Sequence, residues 1–161
     1  MKVAVADRPM LFLTFQLGAD RYALEAARVL EVLAMVELGK IVGAPVGTAG
    51  EFDYHGASVP VLDLCLLALG RPSNLRLSTR ILLLKHESQP GSMWPLGLIV
   101  EHATELVPKQ LGEFTMVGDA LVAQDPRGRL RLLQLDKLLT DELRDLLSVY
   151  HLAHSQNPDA G

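Results

Sequence analysis

Residues 50–64 read Gly-Glu-Phe-Asp-Tyr-His-Gly-Ala-Ser-Val-Pro-Val-Leu-Asp-Leu. From Glu51 to Leu62 the stretch reads as a β-hairpin with Tyr54-His55-Gly56-Ala57 at its turn, since a glycine there accepts the positive φ that tight turns need. Pro60 lies inside the return strand and cannot donate to a ladder, which places it at an edge or a bulge. Asp63 follows as an N-cap for a short helix, Leu64-Cys65-Leu66-Leu67-Ala68-Leu69, which Gly70-Arg71-Pro72 stops. A strand, a tight turn, a strand and a very short helix within twenty-odd residues point to small antiparallel lobes rather than a parallel sheet.

The flanks continue in the same manner. Met10 to Leu17 alternates as a half-buried strand, Gly18-Ala19-Asp20 turns, and Arg21 to Leu24 returns. Glu25 to Arg28 favours a brief helix. Val29 to Val36 reads as a strand, with Val29, Glu31, Leu33 and Met35 on one face and Leu30, Val32, Ala34 and Val36 on the other. Gly39 to Gly50 carries four glycines and one proline and reads as a loop. Downstream, Thr79 to Lys85 is a buried strand, Glu87 to Pro95 a hairpin loop and Leu96 to Val100 a strand that Glu101 to Val107 extends. Pro108 to Phe114 reads as irregular. Met116 to Ala123 and Leu130 to Leu135 form a last hairpin around Asp125-Pro126-Arg127-Gly128. An amphipathic helix starts at Asp136, carried by Leu138, Leu139, Leu143, Leu146 and Leu147. The expected organisation is a tail over 1–9, one domain of two lobes over 10–147, and a tail over 148–161.

Composition narrows the function. The chain has 161 residues, 49% hydrophobic and only 5% aromatic, so its core is aliphatic. Fifteen basic against nineteen acidic residues give a net charge of -4, the wrong balance for a nucleic-acid binder. A single cysteine, Cys65, precludes an internal disulfide and a cysteine-built metal site. The first residues do not form a signal peptide, and no apolar run reaches membrane-spanning length. The expectation is a cytoplasmic protein.

Catalytic signatures are missing: there is no GxxxxGK[ST], GxGxxG, HExxH or GxSxG. The best acid–base pairing is His55 with Asp53 or Asp63, without an oxyanion hole or nucleophile beside it. Cys65 at a helix start reads as an apolar filler in LCLLAL rather than a reactive thiolate. His86, His102, His151 and His154 lack ligand spacing, with only His151 and His154 near one another in the tail, so no metal or cofactor is expected. Glu31 is the more informative acid. It interrupts an apolar strand, where a buried unpaired charge is costly, so it either blunts an exposed edge or marks a docking surface.

Five segments, in order, resemble the CheW-like family of chemotaxis coupling proteins. Phe12 to Leu24 (FLTFQLGADRYAL) looks like its opening hairpin and Val29-Leu30-Glu31-Val32 like its V-x-E-V strand. Gly50 to Leu64 is similar to G-x-x-N-L-R-G-x-x-x-P-V-x-D-L, Leu96 to Ala103 (LGLIVEHA) to the G-L-x-V-D-x-V strand, and Leu132 to Leu139 (LLQLDKLL) to L-L-D-x-x-K-L-L. The resemblance implies a mainly β fold of two intertwined five-stranded SH3-like barrels, with a short internal helix and a C-terminal helix. It implies no catalysis and no cofactor. Instead it implies an adaptor bridging the cytoplasmic tip of a methyl-accepting chemoreceptor and the regulatory domain of a CheA-type histidine kinase, in a two-component array recruited to the membrane. Receptor binding would fall on Val29, Glu31, Asp53, Tyr54, His55 and Gly56, and kinase contact on the first barrel's outer face.

The chain departs from the pattern in ways that matter. Asn-Leu-Arg-Gly is here Asp53-Tyr54-His55-Gly56, which exchanges a permanently charged guanidinium fork for an imidazole. The arginine that often follows D-L is Cys65, and the aspartate of the G-L-x-V-D strand is Glu101. The F-D-Y-x-G turn and Leu77-Ser78-Thr79-Arg80 look more like a Wsp-type surface-sensing coupler, whose pathway drives cyclic di-GMP synthesis. Two other classes stand beside the adaptor. A small β-barrel enzyme built on His55 and Asp53 or Asp63 requires those side chains to converge in a deep pocket. A ligand-binding sensory barrel requires a closed apolar cavity, which lobes this small fill with leucines.

Overall fold

The computed structural model describes residues 8–155. Strands β1 (Pro9–Leu17) and β2 (Asp20–Glu25) form the opening hairpin, and β3 (Val29–Ala34) follows a single 3-10 turn. The hairpin β4 (Thr48–Tyr54) and β5 (Ala57–Asp63) leads directly into helix α1 (Leu64–Leu69). Strands β6 (Arg80–Gln89) and β7 (Ser92–Gln110) form a long hairpin. Strands β8 (Thr115–Val117), β9 (Ala120–Asp125) and β10 (Gly128–Leu132) precede helices α2 (Leu135–Leu138) and α3 (Asp141–Ser155). The fold is mainly β, as expected.

One strand ties the molecule together. The first part of β7 pairs with β6 and, in parallel, with β5; its last part pairs with β1. On one side the ladders run β3-β6-β7-β5-β4, and on the other β7-β1-β2-β10-β9-β8. The crossover falls at Glu101–His102. Arg80 pairs with Val100 in the first sheet, Gln16 with Glu101 in the second, and the β1 register slips between Thr14 and Gln16. His102 has φ +49°, a left-handed conformation that few side chains other than glycine adopt. An irregularity of this kind bends a strand and increases its twist, which lets β7 leave one sheet and enter the other.

Burial follows from that sharing. Ile81, Leu82, Leu83 and Leu84 are all fully buried, the unbroken pattern of a strand covered on both faces. Alternate residues divide between cores. Val61, Ile81 and Ile99 fill one lobe, with Leu33, Met35 and Phe52 packed on them. Phe12, Ala23, Phe114, Ala123 and Leu130 fill the other. The third and largest core lies between lobes and helices, where Leu13, Phe15, Leu17, Leu62, Leu82, Leu98, Leu143 and Leu147 meet.

The signature hairpin forms as read. His55 and Gly56 have φ +53° and +85°, the two positive values of a type I′ turn, whose twist suits a two-residue hairpin. Gly50 is required by close approach: a Cβ there would stand 2.5 Å from the Gly39 carbonyl oxygen, and Gly39 bridges Glu51 just beside it. The register slip lies between Thr48 and Gly50 and not at Pro60, which is opposite Glu51. Hydrogen-bonded and non-bonded pairs alternate away from the turn, and the Glu51–Pro60 pair falls on a non-bonded one. Pairing of β5 with β7 begins only at Val61, so the missing N–H of Pro60 removes nothing. Asp63 caps α1 as expected, accepting from the Cys65 and Leu66 amides, and Gly70 ends the helix at φ +75°.

Other expectations are corrected. Glu87–Pro95 is ladder rather than loop, with His86 opposite Trp94 and Glu87 opposite Met93. Pro108 is not in irregular chain but inside β7, opposite Leu11; β1 has its other neighbour in β2, so this arm of β7 tolerates a missing donor on its outer edge. Met116–Ala123 is itself a hairpin, β8–β9, turned by Gly118 at φ +65°. The single helix from Asp136 is two, because Leu139 is extended and the Thr140 hydroxyl accepts from the Leu143 amide to start α3. Residues 148–155 continue that helix instead of forming a tail. His151 supplies the reason: it is buried one turn after Leu147, its ring 6.3 Å from both His86 and Trp94. Residues 1–7 and 156–161 of the expected tails lie outside the described residues.

Candidate functional site

Strand β3 is the most exposed strand of its sheet and lies at the end of the ladder order. Leu30 and Val32 are each 43% exposed on its outer face. The inner face carries Leu33 and Met35 onto the small lobe core. The β3–β6 register slips between Val29 and Glu31, so Val29 turns inward against the central core while Glu31 stays at the surface.

From the other side the β4–β5 turn reaches Glu31. The Tyr54 hydroxyl donates to Glu31 Oε2 at 2.7 Å. That hydrogen bond, followed by partial burial, raises the Tyr54 pKa, because ionisation would oppose two negative charges. The Tyr54 ring meets the His55 ring edge-on at 4.3 Å and Phe52 at 6.3 Å. Phe52 anchors the other end of this small aromatic row in the lobe core. Glu31, Tyr54 and His55 therefore form one surface group, with Gly56 setting the turn that presents it. Asp53 is exposed but, one residue from Tyr54 on a strand, faces the opposite side. Glu51 shares that side and accepts from Ser58 and from the Tyr150 hydroxyl of α3. Leu30 and Val32, on the face opposite Glu31 as the alternation predicts, are exposed rather than packed.

The acid–base alternative is not assembled. Asp63 is buried, and its carboxylate accepts from the Cys65 amide at 3.0 Å, the Ser73 amide at 2.9 Å and the Ser73 hydroxyl at 2.6 Å. It sits at the far end of β5 from His55, about 20 Å away at strand rise. Cys65 is buried, and burial pushes its thiol pKa up, the reverse of activation. Among the described residues no group of three or more His, Cys, Asp or Glu side chains is arranged for a metal ion. None of the helices described is long and apolar enough to cross a membrane.

Glu101, where the resemblance would place an aspartate, proves to be a structural acid. Its Oε1 accepts from the Gly18 amide at 3.0 Å and Arg71 Nη2 at 3.2 Å, and its Oε2 from the Asn74 amide at 2.8 Å. Burial alone pushes this carboxyl up, but Arg71 and the two amides outweigh it and hold its pKa down at about 2.

Two interlocked β lobes sharing the long strand β7, with helices packed on the core between them, define a class of two-lobed β domains. Within it the chain belongs to the CheW-like domain family, whose sequence model matches residues 11–141. The scaffolding protein TtCheW of Thermoanaerobacter tengcongensis has a similar structure, with a TM-score of 0.73 at 21% identity over 84% of this chain and 91% of that one. That likeness shows the fold. No curated protein sequence matches the chain.

Proposed function

We propose that this protein is a non-catalytic adaptor that couples the cytoplasmic tip of a methyl-accepting chemoreceptor to a CheA-type histidine kinase. The observation that carries the reading is the Tyr54–Glu31 hydrogen bond. It joins the V-x-E-V strand to the turn of the Gly-to-D-L signature, the two segments whose family counterparts contact receptors. Exposed Leu30 and Val32, on the opposite face of the same edge strand, would add apolar area at its rim, and the Glu31 charge would supply selectivity. Glu31, Tyr54 and His55 would touch the receptor, Val29 and Gly56 would hold strand and turn in place, and Asp53 would lie at the rim. The family's scaffolding character and the fully occupied Asp63 favour contact over catalysis. The protein would work in the cytoplasm at receptor arrays.

The pathway is part of the proposal. With His55 in the place of arginine, the turn beside Glu31 presents an imidazole and not a permanently charged guanidinium, which favours a receptor other than the flagellar type. We assign it to a Wsp-type surface-sensing system controlling cyclic di-GMP.

Reconstitution tests both levels. Kinase autophosphorylation should respond to receptor only when this protein is present. Glu31→Lys should abolish receptor binding in pull-downs while leaving the melting temperature nearly unchanged; retained coupling by that variant would overturn the site. Preferential capture by a flagellar chemotaxis receptor would overturn the Wsp assignment alone.

A further inference from the structure

Where β7 crosses between the sheets, the loop after α1 folds over it and leaves a cleft of about 260 Å³. Its walls are donor-rich: Arg71, Arg76, His102, Ser78 and Gln16 line it, with Glu101 as the one acid. Glu101 does not repel an anion as a free carboxylate would, because Arg71 neutralises it and the Gly18 and Asn74 amides occupy its oxygens. Arg71 is thereby fixed in the wall and also donates to the Pro72 carbonyl. The loop is rigid at several points: Ser73 is tied to Asp63, the Arg76 amide donates to the Thr79 hydroxyl, and that hydroxyl donates to the Asn74 carbonyl. Arg76 is exposed at the mouth and has no ion-pair partner among the described residues. Across from it, His102 holds its left-handed φ of +49° with its ring nitrogen Nε2 3.4 Å from the Ser78 hydroxyl. Backbone strain of this sort persists only where surrounding structure maintains it, and it clusters at binding sites.

We propose that this cleft is a binding site for a compact oxyanion of the phosphate type, with Arg76 as its principal ligand and Arg71, His102 and Ser78 as further donors. Planar guanidinium groups match phosphate oxygens through paired hydrogen bonds, and a cleft of about 260 Å³ suits a small anion rather than a drug-sized ligand. The site is separate from the Glu31–Tyr54 surface, and the inference stands or falls independently of receptor coupling. The phosphoryl group could belong to a free small molecule or to a phosphorylated residue of a protein.

Titration calorimetry and amide NMR on the full chain, at constant ionic strength, test this with two probes: inorganic phosphate and a short phosphoserine peptide. Saturable binding is expected for at least one, with shifts at the Gly18, Asn74 and Ser78 amides, and the tighter probe identifies the source. Arg76→Ala should weaken that binding about tenfold, the effect of one charge-assisted hydrogen bond, without altering the fold, since the side chain is exposed and forms no ion pair among the described residues. His102→Gly removes a donor while relieving the backbone strain, so it should weaken binding in a protein at least as stable. Absence of saturable binding by both probes, or binding undiminished in Arg76→Ala, would overturn the proposal.

Discussion

Glu31 and Glu101 are both acids on strands of this two-lobed fold, and their surroundings are opposite. Glu101 is buried at the crossover of β7 and takes hydrogen bonds from two backbone amides and one arginine. Glu31 is exposed on the strand at the end of its ladder and, among the described residues, takes one, from Tyr54. A carboxylate whose lone pairs are filled by the chain's own donors belongs to the fold. One with a single neutral donor keeps most of its hydrogen-bonding capacity for something outside the chain. The contrast separates what the protein needs to fold from what it presents to a partner, and mutations should separate them in the same way.

The largest stability effect is expected at the crossover. Glu101→Ala would leave the Gly18 and Asn74 amides without an acceptor in a partly closed site, a loss of roughly 2–3 kcal/mol, read as a lower denaturation midpoint in urea. The same acid sets a pH dependence. Its folded pKa of about 2 lies below the ordinary 4.5, so its stabilisation is complete above pH 4.5 and is lost as pH falls from there towards 2. Glu101→Gln should flatten that part of the melting-temperature profile. An unchanged profile would mean that the crossover is held by apolar packing alone.

A smaller effect is expected in the other lobe. Arg21 donates to both oxygens of Asp125, at 2.7 and 2.8 Å, joining β2 to the end of β9. That bond, more than the opposing effect of burial, lowers the Asp125 pKa. Arg21→Ala should cost about 1–2 kcal/mol, the value of a paired, charge-assisted bond in a mostly buried setting. Receptor coupling should survive once folding is restored by temperature. Loss of coupling in a folded Arg21→Ala protein would show that this lobe also carries the interface.

The difference between fold acid and surface acid was only partly legible in the sequence. The hairpin at 51–62, the Asp63 cap and the Gly70 stop could be read because each depends on residues within a few positions of one another. The crossover could not. His102 adopts a conformation usually left to glycine, and the partners of Glu101, Gly18 and Asn74, lie 83 and 27 residues away. The extent of α3 was missed for a related reason. A leucine stripe ends at Leu147, while the next residue on that face is His151, buried against Trp94 and His86 on a different hairpin. Glu31 stood out locally as a charge in an apolar strand, but Tyr54 as its donor follows only from the topology that brings the β4–β5 turn to β3.

The smallest stability effect is expected where the functional effect is most specific. Tyr54→Phe keeps the ring that packs against His55 and Phe52 and removes only the hydroxyl that orients Glu31. Both partners are solvent-accessible, so water replaces the lost donor and the melting temperature should barely move. If Tyr54 aims the carboxylate at a receptor, affinity should still fall, by less than in Glu31→Lys, because the charge remains and only its position is released. A double-mutant cycle with Glu31→Gln measures this directly. Non-additive losses in receptor affinity would show the two residues acting as one unit. Additive losses would mean that Tyr54 contacts the receptor by itself, and that the hydrogen bond seen here is incidental to binding.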